Sequence, residues 1–239
     1  MNFNYYNDEA LETIARKVIS QYDPSLLYKP SIIPVEDIME KVYGLTLEFQ
    51  YIRNNGRILG ETIFENAKVP IYERENNKGY KLISVKAGTV IIDASLLHEK
   101  SSSGRLRFTC AHELAHWVID KNYFMQLGET ANLSSSAMGV EFADEFLDYD
   151  ALQRLTECSK SNSKKTNTTR AIRSSDTDAA IERQANRMAS RILMPKCTLK
   201  PAFYSACNNV ANVVAHLAMI YGVSKQAMQI RLEELGLLG

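Results

Sequence analysis

The chain has 239 residues, 45% of them hydrophobic and 23% charged, a balance ordinary for a soluble globular protein. Its 28 Lys and Arg offset its 28 Asp and Glu, so no global field draws in nucleic acid or an anionic membrane. Cys110, Cys158, Cys197 and Cys207 form no CxxC pair, which speaks against a disulfide framework or a four-cysteine zinc knuckle.

Residues 7–21 predict an amphipathic helix, with Leu11, Ile14, Ala15, Val18 and Ile19 on one stripe. Asn7 or Asp8 suits its cap, with acids in the first turn. Pro24 and Pro30 predict a non-helical segment, and Pro34 fits the first position of a second helix, PVEDIMEKVYG, closed by Gly44. LTLEFQYI, RILGETIF, KVPIYE, YKLISV and GTVIID are short and rich in Ile, Val, Thr and Tyr. They predict strands of a small sheet, antiparallel in part. Pro70 assigns its strand to an edge.

After Asp93 the pattern is helical to the end. One helix carries RLRFTCAHELAHWVI over residues 105–120, and a second is expected over 141–157. Residues 159–175 (SKSNSKKTNTTRAIRSS) hold five basic residues and no acid and are expected to form a mobile, solvated loop. A strong helix over 176–194 stops at Pro195. Two more are expected near 208–220 and 224–235. The opening residues lack the layout of a secretory signal, and no apolar run approaches the roughly 20 residues of a membrane span. The expectation is a reduced, cytoplasmic protein with no membrane partner.

These elements describe an α+β fold, a small mostly antiparallel sheet packed on a helical core. One domain is expected over residues 1–239. It would comprise N-terminal helices (7–44), a sheet (45–93), a histidine-bearing helix (105–120), an insertion (about 125–176), an acidic-ligand helix (177–194) and a C-terminal helical segment (198–239).

Only four histidines occur, and two lie in FTCAHELAHWVID. On a helix, positions i and i+4 share a face, so His112 and His116 can both point at one zinc ion. Glu113, about a quarter turn away, would reach a water on that ion. This is the HExxH arrangement of two ligands and a general base. Zinc lowers the pKa of bound water from 15.7 toward about 7, and Glu113 would take its proton and pass it to the leaving amine.

Catalytic zinc keeps three protein ligands and an open position. Ile119 and Asn122 stand where a HExxHxxGxxH signature needs glycine and histidine, so the third ligand falls on a later helix. Glu141 lies 25 residues after His116, and Glu182 lies 66 after it. Distance favours Glu141. Local chemistry favours Glu182: Asn186, one turn on, can hydrogen-bond a ligand histidine, and Ala185 allows close helix approach.

HELAH followed by ERQANRMASRILMP resembles the ImmA/IrrE family of zinc metallopeptidases, whose second motif reads E-x-E-A-N-x-F-A…L-M-P. PVEDIMEKVYGLTLEF, RILGETIF, RFTCAHELAHWVI and the ending VSKQAMQIRLEELGLL have a similar character, so the resemblance covers most of residues 30–239. It implies one Zn2+ per chain, held by His112, His116 and Glu182, with Glu113 as catalytic base and Asn186 in support. It also implies a cytoplasmic regulatory protease that cleaves a protein substrate, a helix-turn-helix repressor of a mobile element, prophage or stress response. Gln184 and Met188 depart from the motif, and the segment from about 125 to 176 is longer than the family pattern. A Pro-blunted edge strand near the zinc helix would suit an extended peptide.

Residues 211–235 offer a rival reading, a DNA-binding regulator with a structural or vestigial zinc site. Helix, GVS turn and helix resemble a helix-turn-helix, with Lys225, Gln226, Gln229 and Arg231 as contacts. Glu233 and Glu234 weigh against the positive surface that phosphate binding needs, so no direct nucleic-acid contact is expected. A structural zinc protein without turnover is the third reading. His216, or one of the tyrosines, is the candidate to polarise the scissile carbonyl.

Overall fold

The computed structural model describes residues 3–52, 58–73, 80–98, 103–130, 168–207 and 212–238, without the side chains of 126–130 and 168–176. The first predicted helix is α1 (Asp8–Tyr22), capped by the Asn7 side chain, which accepts from the Ala10 N–H. Its stripe of Leu11, Ala15, Val18 and Ile19 is buried. The second helix is brief. α2 (Val35–Asp37) passes directly into a π-turn, Ile38–Val42, and Pro34 stands at its cap rather than inside it. Gly44 follows with φ of 63°, a left-handed conformation that glycine adopts without steric cost.

All five expected strands form: β1 (Thr46–Gln50), β2 (Gly60–Thr62), β3 (Ala67–Tyr72), β4 (Tyr80–Val85) and β5 (Thr89–Asp93). They make two sheets where one was expected. The first has the order β1-β5-β2, with β5 parallel to β1 and antiparallel to β2. The second is the antiparallel ribbon of β3 and β4. The difference follows from TVIID, an unbroken apolar run that is buried throughout, as a strand covered on both faces must be. Val90 and Ile92 join the helical core, while Ile91 joins Ile52, Ile58, Ile63, Val69 and Val85 on the opposite face. The β3–β4 ribbon thus supplies the second cover. Pro70 lies in this ribbon, and the strand packed on the histidine helix is β2.

α3 (Ser103–Ala115), a π-turn (His116–Asp120) and α4 (Lys121–Thr130) follow without a break, so helix continues ten residues beyond the expected stop at 120. α5 (Thr168–Leu193) begins inside the stretch expected as a loop. Extending a strong helix upstream adds one bond per residue and no new nucleus, which is why polar composition misled there. Residues 159–167, the helix expected over 141–157 and most of the expected insertion lie outside the described residues.

α6 (Lys196–Cys207) lies mostly within the helical segment expected over 198–239 but was not singled out as a helix of its own, because Pro195 precedes it and Pro201 lies within it, and both read as breakers. α7 (Val213–Tyr221) and α8 (Lys225–Glu234) are joined through Gly222, at φ of 62°, and Ser224, which caps α8 by accepting from the Ala227 N–H. α1, α3, α5 and the C-terminal helices share one buried cluster that includes Leu11, Leu114, Met188, Ile192, Leu217 and Leu232. Among the described residues, no helix is long and apolar enough to cross a membrane.

Candidate metal centre

α3 and α5 pack against each other, and each carries small buried side chains in the shared core, Ala111 and Ala115 on one helix and Ala185 and Ala189 on the other. That close approach brings the acidic helix up to the histidine pair. His112 Nε2 lies 3.0 Å from His116 Nε2. Glu182 Oε2 is 3.3 Å from the first nitrogen, and its Oε1 is 3.4 Å from the second. The three residues place one ligand atom each within 4.8 Å of one another.

The outward-facing nitrogens explain the orientation of the rings. His112 Nδ1 is 2.9 Å from Asn186 Oδ1, and His116 Nδ1 is 2.9 Å from Asp120 Oδ2. A carbonyl oxygen and an ionised carboxylate only accept, so each Nδ1 carries the proton and each Nε2 turns a lone pair inward. Two imidazole lone pairs and a carboxylate then converge, and Glu182 Oε1 is buried without a hydrogen-bond partner among the described residues. Such a set of acceptors repels itself and fits a divalent cation at its centre. Two nitrogens and a carboxylate oxygen are the donor set of a catalytic zinc site.

Burial dominates the electrostatics. It holds the His116 imidazole down to about 3. It also acts to lower His112, but the hydrogen bond to Glu182 and the charges of Glu113 and Glu182 outweigh it and the pKa is raised. Burial lifts Glu113 to about 7, against the lowering influence of His112 and the Thr62 hydroxyl.

β2 forms the seat of Glu113. Its alternate residues face α3. Thr62 donates its hydroxyl to Glu113 Oε2 at 2.7 Å. Gly60 leaves room: a Cβ there would lie 2.5 Å from Glu113 Oε1. Phe64 stacks on Trp117 and Phe124, with ring centroids 5.9 and 4.9 Å apart. β2 is also an edge of its sheet. Ile63 N–H donates to Thr89 O and Asp93 N–H to Leu59 O, so Gly60 and Thr62 direct their main-chain groups toward the open side.

The structure brings His112, Glu113, His116, Glu182 and Asn186 together in one place. Glu141 lies outside the described residues. His216 does not join them: it lines a groove with Pro30, Pro201, Ala202, Ser205 and Ile220, none of them in the cluster. Asp120 was missed, although its spacing of four from His116 was the available signal. Thr62 and Gly60 were missed because their role depends on tertiary contact. Arg231, a contact in the DNA-binding reading, is 1% exposed, bonded to Glu12, Glu234 and the Met194 carbonyl. Burial pushes the Cys110 thiol far up, which makes it inert.

The fold is α+β with small mixed sheets on a helical core, and the α3 helix with its histidine pair gives it a zincin-like arrangement. Residues 158–233 match the family model for the IrrE N-terminal-like domain of the M78 peptidases. The match spans the helix of Glu182 and Asn186 and everything through most of α8, and the histidine helix meets it in space. Among solved structures, a Mycobacterium tuberculosis transcriptional regulator aligns at 14% identity with a TM-score of 0.46, covering 96% of this chain and 48% of that one. The chain thus spans about half the length of that protein. No curated protein matches. The matched segment supplies Glu182, the acidic member of the His112–His116–Glu182 cluster, and that cluster can hold a metal ion.

Proposed function

We propose that the protein is a zinc-dependent regulatory endopeptidase that cleaves a transcriptional repressor, and that the chain acts as one peptidase domain. The observation that carries this reading is the convergence of His112 Nε2, His116 Nε2 and Glu182 on one point, beside Glu113 and the open edge of β2. Zinc, when bound by these three residues, supplies Lewis acidity toward the water and the scissile carbonyl. Asn186 and Asp120 hold the ligand rings in place. Glu113 takes a proton from the attacking water and returns it to the departing amine. An extended substrate segment adds to β2 through the main-chain groups of Gly60 and Thr62, which lays its backbone along the base. A flexible segment of a folded repressor meets that requirement better than a helix does.

Elemental analysis of the wild type and of Glu182→Ala tests the centre. About one zinc per chain is expected, with marked loss in the variant. Incubation with helix-turn-helix repressors encoded beside the gene then tests the activity: cleavage by the wild type and none by Glu113→Gln, with zinc retained, is expected. A wild type that binds no zinc on reconstitution overturns the reading.

A further inference from the structure

β2 and α3 run side by side in matched steps. Gly60 and Thr62 meet the Glu113 carboxyl. Phe64, two residues on, stacks on Trp117, one helical turn on, with ring planes 8° apart. Two strand residues cover about 6.6 Å and four helical residues about 6 Å, so strand and helix stay level. We propose that Phe64, Trp117 and Lys121 form the wall that selects a substrate side chain, accepting a large apolar one and turning away a basic one. The inference deepens the peptidase reading above and rests on it.

A segment added to the open edge of β2 turns alternate side chains toward α3. One of them stands level with Glu113, where the bond is cut. The next on that face, two residues away, stands level with Phe64 and Trp117. The stack backs onto the metal centre through Phe124, whose ring centroid lies 4.9 Å from that of Phe64 and 6.3 Å from that of His116.

Core packing does not account for these rings. Phe64 and Phe124 lie outside the two buried apolar clusters described above, and Trp117 only borders one of them. Phe64 and Trp117 are half-buried, so aromatic surface is left beside the open edge. A Phe or Leu side chain of the substrate covers that surface, which an Ala side chain is too short to do.

Lys121 sets the charge of the wall. Its Nζ stands 3.9 Å from the Trp117 ring centroid, and no carboxylate pairs with it among the described residues. The ammonium repels a lysine or arginine brought to the same wall, while the face of an aromatic side chain attracts it.

Trp117 is the one tryptophan of the chain, so its emission reports on the wall itself. The test titrates zinc-loaded protein with hydroxamate-capped tripeptides of both chain directions. Each is Ala throughout except for one Phe or one Lys, placed at each position in turn, and acetohydroxamate serves as the control for the metal. In one direction, Phe two residues beyond the capped one should bind about tenfold tighter than Ala and change the Trp117 emission. Lys at that position should bind more weakly than Ala. Phe64→Ala should erase the gain from Phe and leave the affinity for acetohydroxamate unchanged. Lys121→Glu should reverse the order of the Lys and Ala peptides, and it carries the test alone if Phe64→Ala does not fold. Equal binding of the Ala, Phe and Lys peptides, or an order that survives both substitutions, overturns the proposal while binding of acetohydroxamate upholds the zinc reading. A protein that takes up no zinc, or that binds no acetohydroxamate when loaded, removes both.

Discussion

His116 Nδ1 sits 2.9 Å from Asp120 Oδ2, and neither side chain reaches solvent. The pair fixes which nitrogen of His116 turns inward. Asp120→Ala should lower zinc affinity by about 10- to 100-fold. It should also destabilise the metal-free protein by about 1–3 kcal/mol, because a buried N–H loses its partner. Chelator competition and urea unfolding measure the two effects, and unchanged affinity would show that Asp120 does not orient the ligand.

Gly60 tests the seat of the base. Gly60→Ala forces its new Cβ against the Glu113 carboxyl while leaving His112, His116 and Glu182 in place. Zinc content should be retained. Hydrolysis of a substrate cut by the wild type should fall by about 100-fold or more, the scale of a misplaced general base. Thr62→Val, which removes the hydroxyl donor, should act in the same direction and more mildly. Full turnover in Gly60→Ala would place the base elsewhere.

Burial sets a pH dependence for the metal-free protein. The Glu113 carboxyl rises from 4.5 to about 7 in the fold, so the folded state favours the protonated form. That contribution is fully present below pH 4.5 and is lost as pH rises toward 7. Glu113→Gln removes the ionisation. Its stability relative to the metal-free wild type should therefore increase between these limits, by up to about 3 kcal/mol. Thermal midpoints of both proteins at pH 5 and pH 8 give the comparison, and a pH-independent gap would refute it.

Arg191 and Arg231 are both nearly sealed from solvent and share Glu12 and Glu234 as counter-charges. Glu12→Ala strands buried positive charge and should cost about 3–5 kcal/mol, seen as a lower urea midpoint with an unchanged slope. A loss under 1 kcal/mol would mean that Glu234 and Asp8 suffice to neutralise the pair.

The site was more legible than the fold around it. His112, Glu113 and His116 follow from helical spacing alone, and Asn186 shares a helix face with Glu182 because both obey the i, i+4 rule. Glu182 could not be separated from Glu141 by spacing, and the packing of α5 on α3 is what brings it in. The strands were visible as apolar runs, but two sheets rather than one could be read only from the burial of both faces of β5. Pro201 hid the bounds of α6 within the C-terminal helical segment. Arg231 looked like an exposed cation because nothing local announces that Glu12, far earlier in the chain, reaches it.

The π-turn at His116–Asp120 carries a consequence for how this helix can vary. A single π-turn amounts to one extra residue threaded into an α-helix. Deleting one residue at Val118 would let α3 and α4 join as regular α-helix. His112 and His116, upstream of the deletion, would keep their places. The bulge already absorbs that residue, so Tyr123 and Phe124 would keep nearly their present side of the helix, and the spacing from His116 to the Asp120 side chain would shorten from four residues to three. The extra residue therefore sets the local spacing of ligand and support without turning the rest of the rod.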